Sequence, residues 1–295
     1  MPGNREGDVS ISVVLALLAA ACFGAAMVFT KLGLRHMDAA AGALVSIPST
    51  AVLYWLLAAF LLDPEGWITA AVVIFAIVGL FFPAAVTLLV FESNRRMGPT
   101  VASSVSSTAP LFATFGAIVL LGESITLPVV AGTAAIVCGV MVLSREEGDG
   151  PRRWPRWVLG LPLLAAGIRG LAQAATKAGL ALWANPFAAG LIGYTVSSAT
   201  VLAANHALTR GRPLAFHRRG VPWFVMAGAS NGVAVLAMYH ALSAGKVTIV
   251  SPIVATYPLF TLVLSALFLR EEVISVRMVF GVVLAVAGVG ILAAG

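Results

Sequence analysis

One arginine stands in the middle of an otherwise apolar stretch, Arg169 within residues 157–180. Gln173, Thr176 and Lys177 follow at i+4, i+7 and i+8, so a helix over this stretch carries a polar stripe along one face. A guanidinium is planar, permanently charged and shaped to grip a carboxylate or phosphate through paired hydrogen bonds. The bland alternative is a structural pair with a buried acid. It has few candidates, because acids inside apolar stretches are nearly absent and Glu92 sits at the end of one. Other polar groups fall in similar surroundings. Asn231 must find a hydrogen-bond partner. Tyr239 and Tyr257 are placed for substrate contact, and Ser107 belongs to a hydroxyl set with Ser103, Thr114, Ser251 and Thr256. These residues, with Arg169, Gln173 and Lys177, are the candidate binding set. Glu92 and His240 lie 148 residues apart (240 − 92) and are candidates for proton coupling; interfacial polar residues at helix ends are the plainer reading. No serine has a paired base and no His, Asp or Glu cluster has metal spacing, so neither an enzyme nor a cofactor or metal site is expected.

The elements that hold these groups follow from composition. The 295 residues are 60% hydrophobic and 10% charged, against roughly 45–50% and about 25% in soluble domains. The bilayer is the fitting solvent. Ten apolar stretches near the required length of about 20 residues can be drawn: 11–33, 39–62, 67–91, 98–121, 126–144, 157–180, 185–209, 221–242, 248–269 and 274–294. They are called spans one to ten below. The first might pass for a secretory leader, but Glu6 and Asp8 spoil its positive start. Cys22 and Cys138 fall inside spans and read as small apolar filler. A net charge of +6 lies in flanking loops, so membrane topology explains it better than nucleic acid. The aromatics Tyr54, Trp55, Trp67, Trp154, Trp157, Trp183 and Trp223 read as interfacial anchors.

The chain also contains itself twice. Residues 110–143 begin Pro-Leu-Phe and residues 258–292 repeat that start 148 residues on (258 − 110), with Glu123 and Glu271 in register. Thr30, Lys31 and Gly33 match Thr176, Lys177 and Gly179 at an offset of 146 (177 − 31). A repeat sets architecture, here residues 1–147 and 148–295 as two five-span units. Fourteen of the 18 Lys and Arg lie after odd-numbered spans, beginning with Lys31, Arg35, Arg95 and Arg96. Because five is odd, the second unit must enter the membrane the opposite way, and the charges obey this. The expected fold is all-α and integral to the membrane: ten transmembrane helices in two inverted five-helix repeats.

Pro-Leu-Phe, an apolar run, Gly-Glu or Arg-Glu and a Gly-rich last helix resemble the EamA unit of the drug/metabolite transporter superfamily. The matching residues are Pro110, Gly122, Glu123, Gly132 and Gly139, then Pro258, Glu271, Gly281 and Gly288; Arg270 departs from the usual Gly. The resemblance implies a multi-pass carrier of the inner membrane, commonly an exporter of amino acids or related metabolites. It also implies cytoplasmic termini, whereas the charge rule puts both outside. Read without the family, the small residues of spans five and ten are either a homodimer seam or internal packing. Glu123 and Glu271 read as helix caps or surface ion pairs. Pro110 and Pro258 free carbonyls for a bend or a cavity.

Together these readings give alternating access around a midplane site walled by spans one, three, four, six, eight and nine, with Arg169 holding a carboxylate. The partners expected are the lipid bilayer and a small-molecule substrate, without nucleic acid. Efflux of cationic or aromatic drugs and a channel are the competing functions; the first needs a buried acid that span one lacks.

Overall fold

The protein was described from a computed structural model that covers residues 5–62, 66–97, 105–106, 108–143, 155–209, 216–269 and 276–294. Every regular element among these residues is helical: α1 (Arg5–Leu34), α2 (Ala39–Leu61), α3 (Thr69–Phe81), α4 (Ala84–Met97), α5 (Ala109–Leu121), α6 (Leu127–Leu143), α7 (Gly160–Leu182), α8 (Pro186–Thr209), α9 (Val221–Ala244), α10 (Val247–Val254), α11 (Tyr257–Leu269) and α12 (Val276–Ala294). A short 3₁₀ turn, Arg156–Leu159, leads into α7. Seven segments are long and apolar enough to cross a bilayer, and three shorter apolar helices, Ala109–Leu121, Leu127–Val142 and Val279–Ala294, complete the set of ten. The starts of spans two and seven are capped alike: Asp38 Oδ1 accepts from the Ala41 N–H at 2.7 Å, and Asn185 Oδ1 from the Ala188 N–H at 2.9 Å.

Among the described residues three spans are broken, each beside a proline. In span four the Thr108 hydroxyl donates back to the Val105 carbonyl at 2.7 Å, and Pro110 opens the next helix. In span nine the Thr256 hydroxyl makes the same 2.7 Å bond to Ile253, ahead of Pro258. The expected bends at Pro110 and Pro258 are therefore present, with an equivalent threonine shaping each. The third break, between α3 and α4, was not read from the sequence. Pro83 has no N–H to give the Gly79 carbonyl. Ser197 of α8 supplies the remedy: its hydroxyl donates to Gly79 O at 2.7 Å and accepts from the Ala84 N–H at 3.2 Å. Both groups are deep in the bundle. Ser197→Ala should cost about 1–3 kcal/mol, because two backbone groups lose their partner, and this is measurable as a lower midpoint of thermal unfolding in detergent.

Among the described residues the most extensive cross-half packings come in mirror-related pairs. Span one packs against span eight as span six packs against span three, and span four against span six as span nine against span one. Gly170 of α7 admits the backbone of Ala109 and Ala113 with Phe112, while Gly24 of α1 admits Phe260 and Thr261. These sets are one motif used twice, related by the offsets of the repeat. The inversion is visible where α6 meets α12. Gly139 lies against Gly281 and Gly132 against Gly288, so the two equivalent helices run in opposite directions.

Close approach is possible because the buried faces are built from small residues, such as Ala16, Ala19 and Ala20 of α1. Large apolar side chains point outward, among them Phe60, Leu127, Leu267 and Val276. In lipid that is the stable arrangement. The chain is a multi-pass membrane protein. Tyr54 corrects the anchor reading: it is 2% exposed, its ring lies 5.5 Å from Tyr194, and its hydroxyl donates to the Gly232 carbonyl at 3.0 Å. Trp183 is likewise buried, its ring tilted against that of Trp67 at a centroid distance of 5.1 Å.

Candidate functional site

Arg169 occupies the centre of the inward face of α7. Its helical neighbours one turn away, Ala165, Ala166, Ala172 and Gln173, are buried, as are Pro162 and Thr176 two turns away. Yet Arg169 itself is only half-buried. A side chain framed by buried residues and still accessible stands where a space between helices would open. Asn231 has the same signature on α9: Ala227, Gly228, Ala234, Val235 and Met238 around it are buried, and Asn231 is not. A third case went unnoticed in the sequence. Phe23 of α1 lies among buried Ala16, Ala19, Ala20 and Ala26 and is half-buried. It stands in the first repeat where Arg169 stands in the second (23 + 146), and that offset was the signal that could have found it.

The helix breaks lie at the level of these residues. Gly170, next to Arg169, touches the Ala109 carbonyl at the break of span four. Tyr257, half-buried, opens α11 at the break of span nine. Broken spans leave backbone dipoles at membrane depth, and these are tolerated only where they line a cavity or are buried in protein.

Polar atoms near Arg169 lack partners. Gln173 is 4% exposed and Thr176 1% exposed, and neither Gln173 Oε1 nor Thr176 Oγ1 has a hydrogen bond. Among the described residues Arg169 has no ion pair or hydrogen bond. A buried unpaired amide or hydroxyl costs about 1–3 kcal/mol, so a set of them beside a free cation fits a site that a ligand completes. Tyr239, 4% exposed, adjoins Thr176 and belongs to a buried tyrosine group with Tyr194 and Tyr54.

Other sequence candidates are placed elsewhere. Lys177 is engaged: its Nζ donates to the Ser243 carbonyl at 3.2 Å, and the Glu123 carboxylate is close by. Glu92 pairs with Arg96, whose guanidinium lies 4.9 Å above the Trp157 ring. His240 is exposed on the outer face of α9, in line with exposed Met226 and Val233. Glu92 and His240 sit near opposite ends of the bundle and are not brought together. Ser251 is buried in α10, and Thr114 Oγ1 is buried without a partner. Ser107 and Ser103 lie outside the described residues, as does Glu271.

Glu123 proves to be a cap, but for a helix in the other half of the chain. Its oxygens accept from the Val247 N–H at 2.9 Å and from the Thr248 N–H and hydroxyl at 3.0 and 2.8 Å. Gly122, at φ +66°, ends α5 in the left-handed conformation that turns the chain toward α10.

Comparison with known proteins adds three findings. A sequence profile of the EamA-like transporter family matches residues 10–145 and again residues 156–294. No curated protein sequence matches the chain. A solved structure, described only as the crystal structure of a protein, superposes with a TM-score of 0.75 over 98% of this chain and 98% of its own, at 15% identity. A likeness at that identity speaks to the fold alone.

Proposed function

Because the chain belongs to the EamA-like transporter family, we propose that it is a secondary carrier of the inner membrane, exporting a small carboxylate-bearing metabolite, foremost an amino acid. The two inverted halves rock about the space bordered by Arg169, Asn231, Phe23 and Tyr257. The observation that carries this reading is Arg169: a partly accessible cation with no partner among the described residues, at the centre of a buried helix face, beside two buried polar atoms likewise without partners. A substrate carboxylate would take the guanidinium. A substrate ammonium would satisfy Gln173 Oε1 and Thr176 Oγ1, both acceptors left open. Phe23, on the opposite repeat, supplies an apolar wall. Export and the amino acid class come from the family resemblance, and the unpaired groups favour a zwitterion among carboxylates.

Carriage of cationic drugs is less well supported. It requires a carboxylate inside the cavity, and the acids whose contacts are described are committed elsewhere, Glu92 to Arg96 and Glu123 to α10. A thermal-shift series on the purified protein separates the two. Amino acids and organic acids should raise the unfolding temperature, since a ligand of the native state stabilises it by mass action. Their decarboxylated amines should not. Equal stabilisation by amines, or stabilisation by neither class, would defeat the proposal.

A further inference from the structure

The half-helix α10 is a plug. All eight of its residues are buried, and it packs against α1, α5, α6, α7 and α9. It lies at one end of the bundle, the end that carries the turns after spans four, six and eight, the start of α1 and the end of α12. At that end the first half also caps it, through the Glu123 side chain, which occupies both leading amide groups and the Thr248 hydroxyl. Lys177 of α7 stands beside the same carboxylate and reaches the Ser243 carbonyl at the end of α9. Residues of α5, α7, α9 and α10 thus meet around one acid, across the boundary between the repeats.

We infer that Glu123 is the latch of a gate: by capping α10 from the opposite half it keeps the substrate space closed on the side of the termini, and release of that cap opens this side. This deepens the carrier reading above and rests on its two rocking halves. Two features distinguish a latch from a static cap. The bonds join the halves that must separate, whereas an ordinary cap serves its own helix. Glu123 is also only half-buried, so water can replace the protein donors as the bonds part, which a fully buried carboxylate would not allow cheaply. Behind it Val250, Ser251 and Ile253 are buried, so movement of α10 would expose them on this side.

The test reads access to α10 and needs no substrate. In a background with Cys22→Ala and Cys138→Ala, Ser251→Cys places one thiol in the plug, at a position 2% exposed. Sealed vesicles of both orientations are treated with a charged, membrane-impermeant maleimide, and a protease-sensitive N-terminal tag reports which side is outward. Adding Glu123→Ala should speed labelling from the terminus side by about 3- to 30-fold, the range expected from losing a helix cap, and leave labelling from the basic side unchanged. Glu123→Gln, which keeps one acceptor oxygen, should give a smaller rise; it decides the question if the alanine variant does not fold. Unaltered labelling from the terminus side overturns the latch, as does an equal rise from both sides, which would mark general loosening. The Arg169 experiments stand apart, since a working latch is compatible with the wrong substrate class and the converse also holds.

Discussion

Arg169→Ala should abolish ligand-induced stabilisation and transport of a carboxylate substrate while the protein remains folded. The fold is spared because the guanidinium has no protein partner among the described residues, so its removal strands no opposite charge. The ligand loses a charge-assisted, two-pronged contact in a space of low polarity, and its carboxylate is left desolvated. That loss is worth about 2–5 kcal/mol, which is on the order of 30- to several-thousand-fold in affinity. Arg169→Lys keeps the charge but not the planar fork, and should recover only part. Gln173→Leu should weaken amino acids more than simple carboxylic acids, since its open Oε1 faces the ammonium in this scheme. The readout is the concentration dependence of the thermal shift, followed by counterflow in proteoliposomes. Unaltered transport by Arg169→Ala would remove the carboxylate site altogether.

Gly139→Val should be the most destabilising change at the seam between the repeats. A Cβ at Gly139 would lie 2.6 Å from the Gly281 carbonyl oxygen and 2.8 Å from the Ala285 nitrogen. Both obstacles are helical backbone, which cannot turn aside as a flexible side chain can. The helices must separate, and overpacking of this kind costs about 1–3 kcal/mol or more. Gly288→Val meets the Gly132 carbonyl at 2.7 Å, and the twofold relation predicts a similar loss. Gly290→Val, with nothing within 4 Å, is the control and should be nearly silent. Unfolding midpoints in one detergent at one protein concentration compare the three. These glycines serve contacts within the chain. A homodimer through spans five and ten, if formed, would use their outer faces, where Val130, Met141, Val283 and Val286 are exposed.

Much of this was legible before any fold was known, and the reasons are local. Apolar length predicts a span because a helix must cross a fixed thickness of hydrocarbon. The two copies of Pro-Leu-Phe announced equivalent bends, and the structure repeats even the threonine hydroxyl bond at each. Arg169 could be singled out because a charge within an apolar run is costly wherever it points. The break at Pro83 was harder: one proline in a span is tolerated often enough that only its rescuer, Ser197, reveals the kink. Tyr54 misled for a related reason. An aromatic near a span end has two stable sites, the interface and the core, and only the neighbour helices choose between them.

The sequence by itself therefore determined the solvent, the number of crossings, the repeat and its inversion, because each follows from composition, periodicity or charge along one chain. Which polar groups face one another was decided by the tertiary structure alone. Lys177 shares a helix face with Arg169 and Gln173, yet packing hands it to Glu123 and Ser243 and leaves the other two open. Glu123 sits 124 residues from the amide it caps. Helix periodicity orders side chains within a span but carries no information about which span comes to rest beside it, and in this protein that choice separates the groups that hold the bundle shut from those left for a ligand.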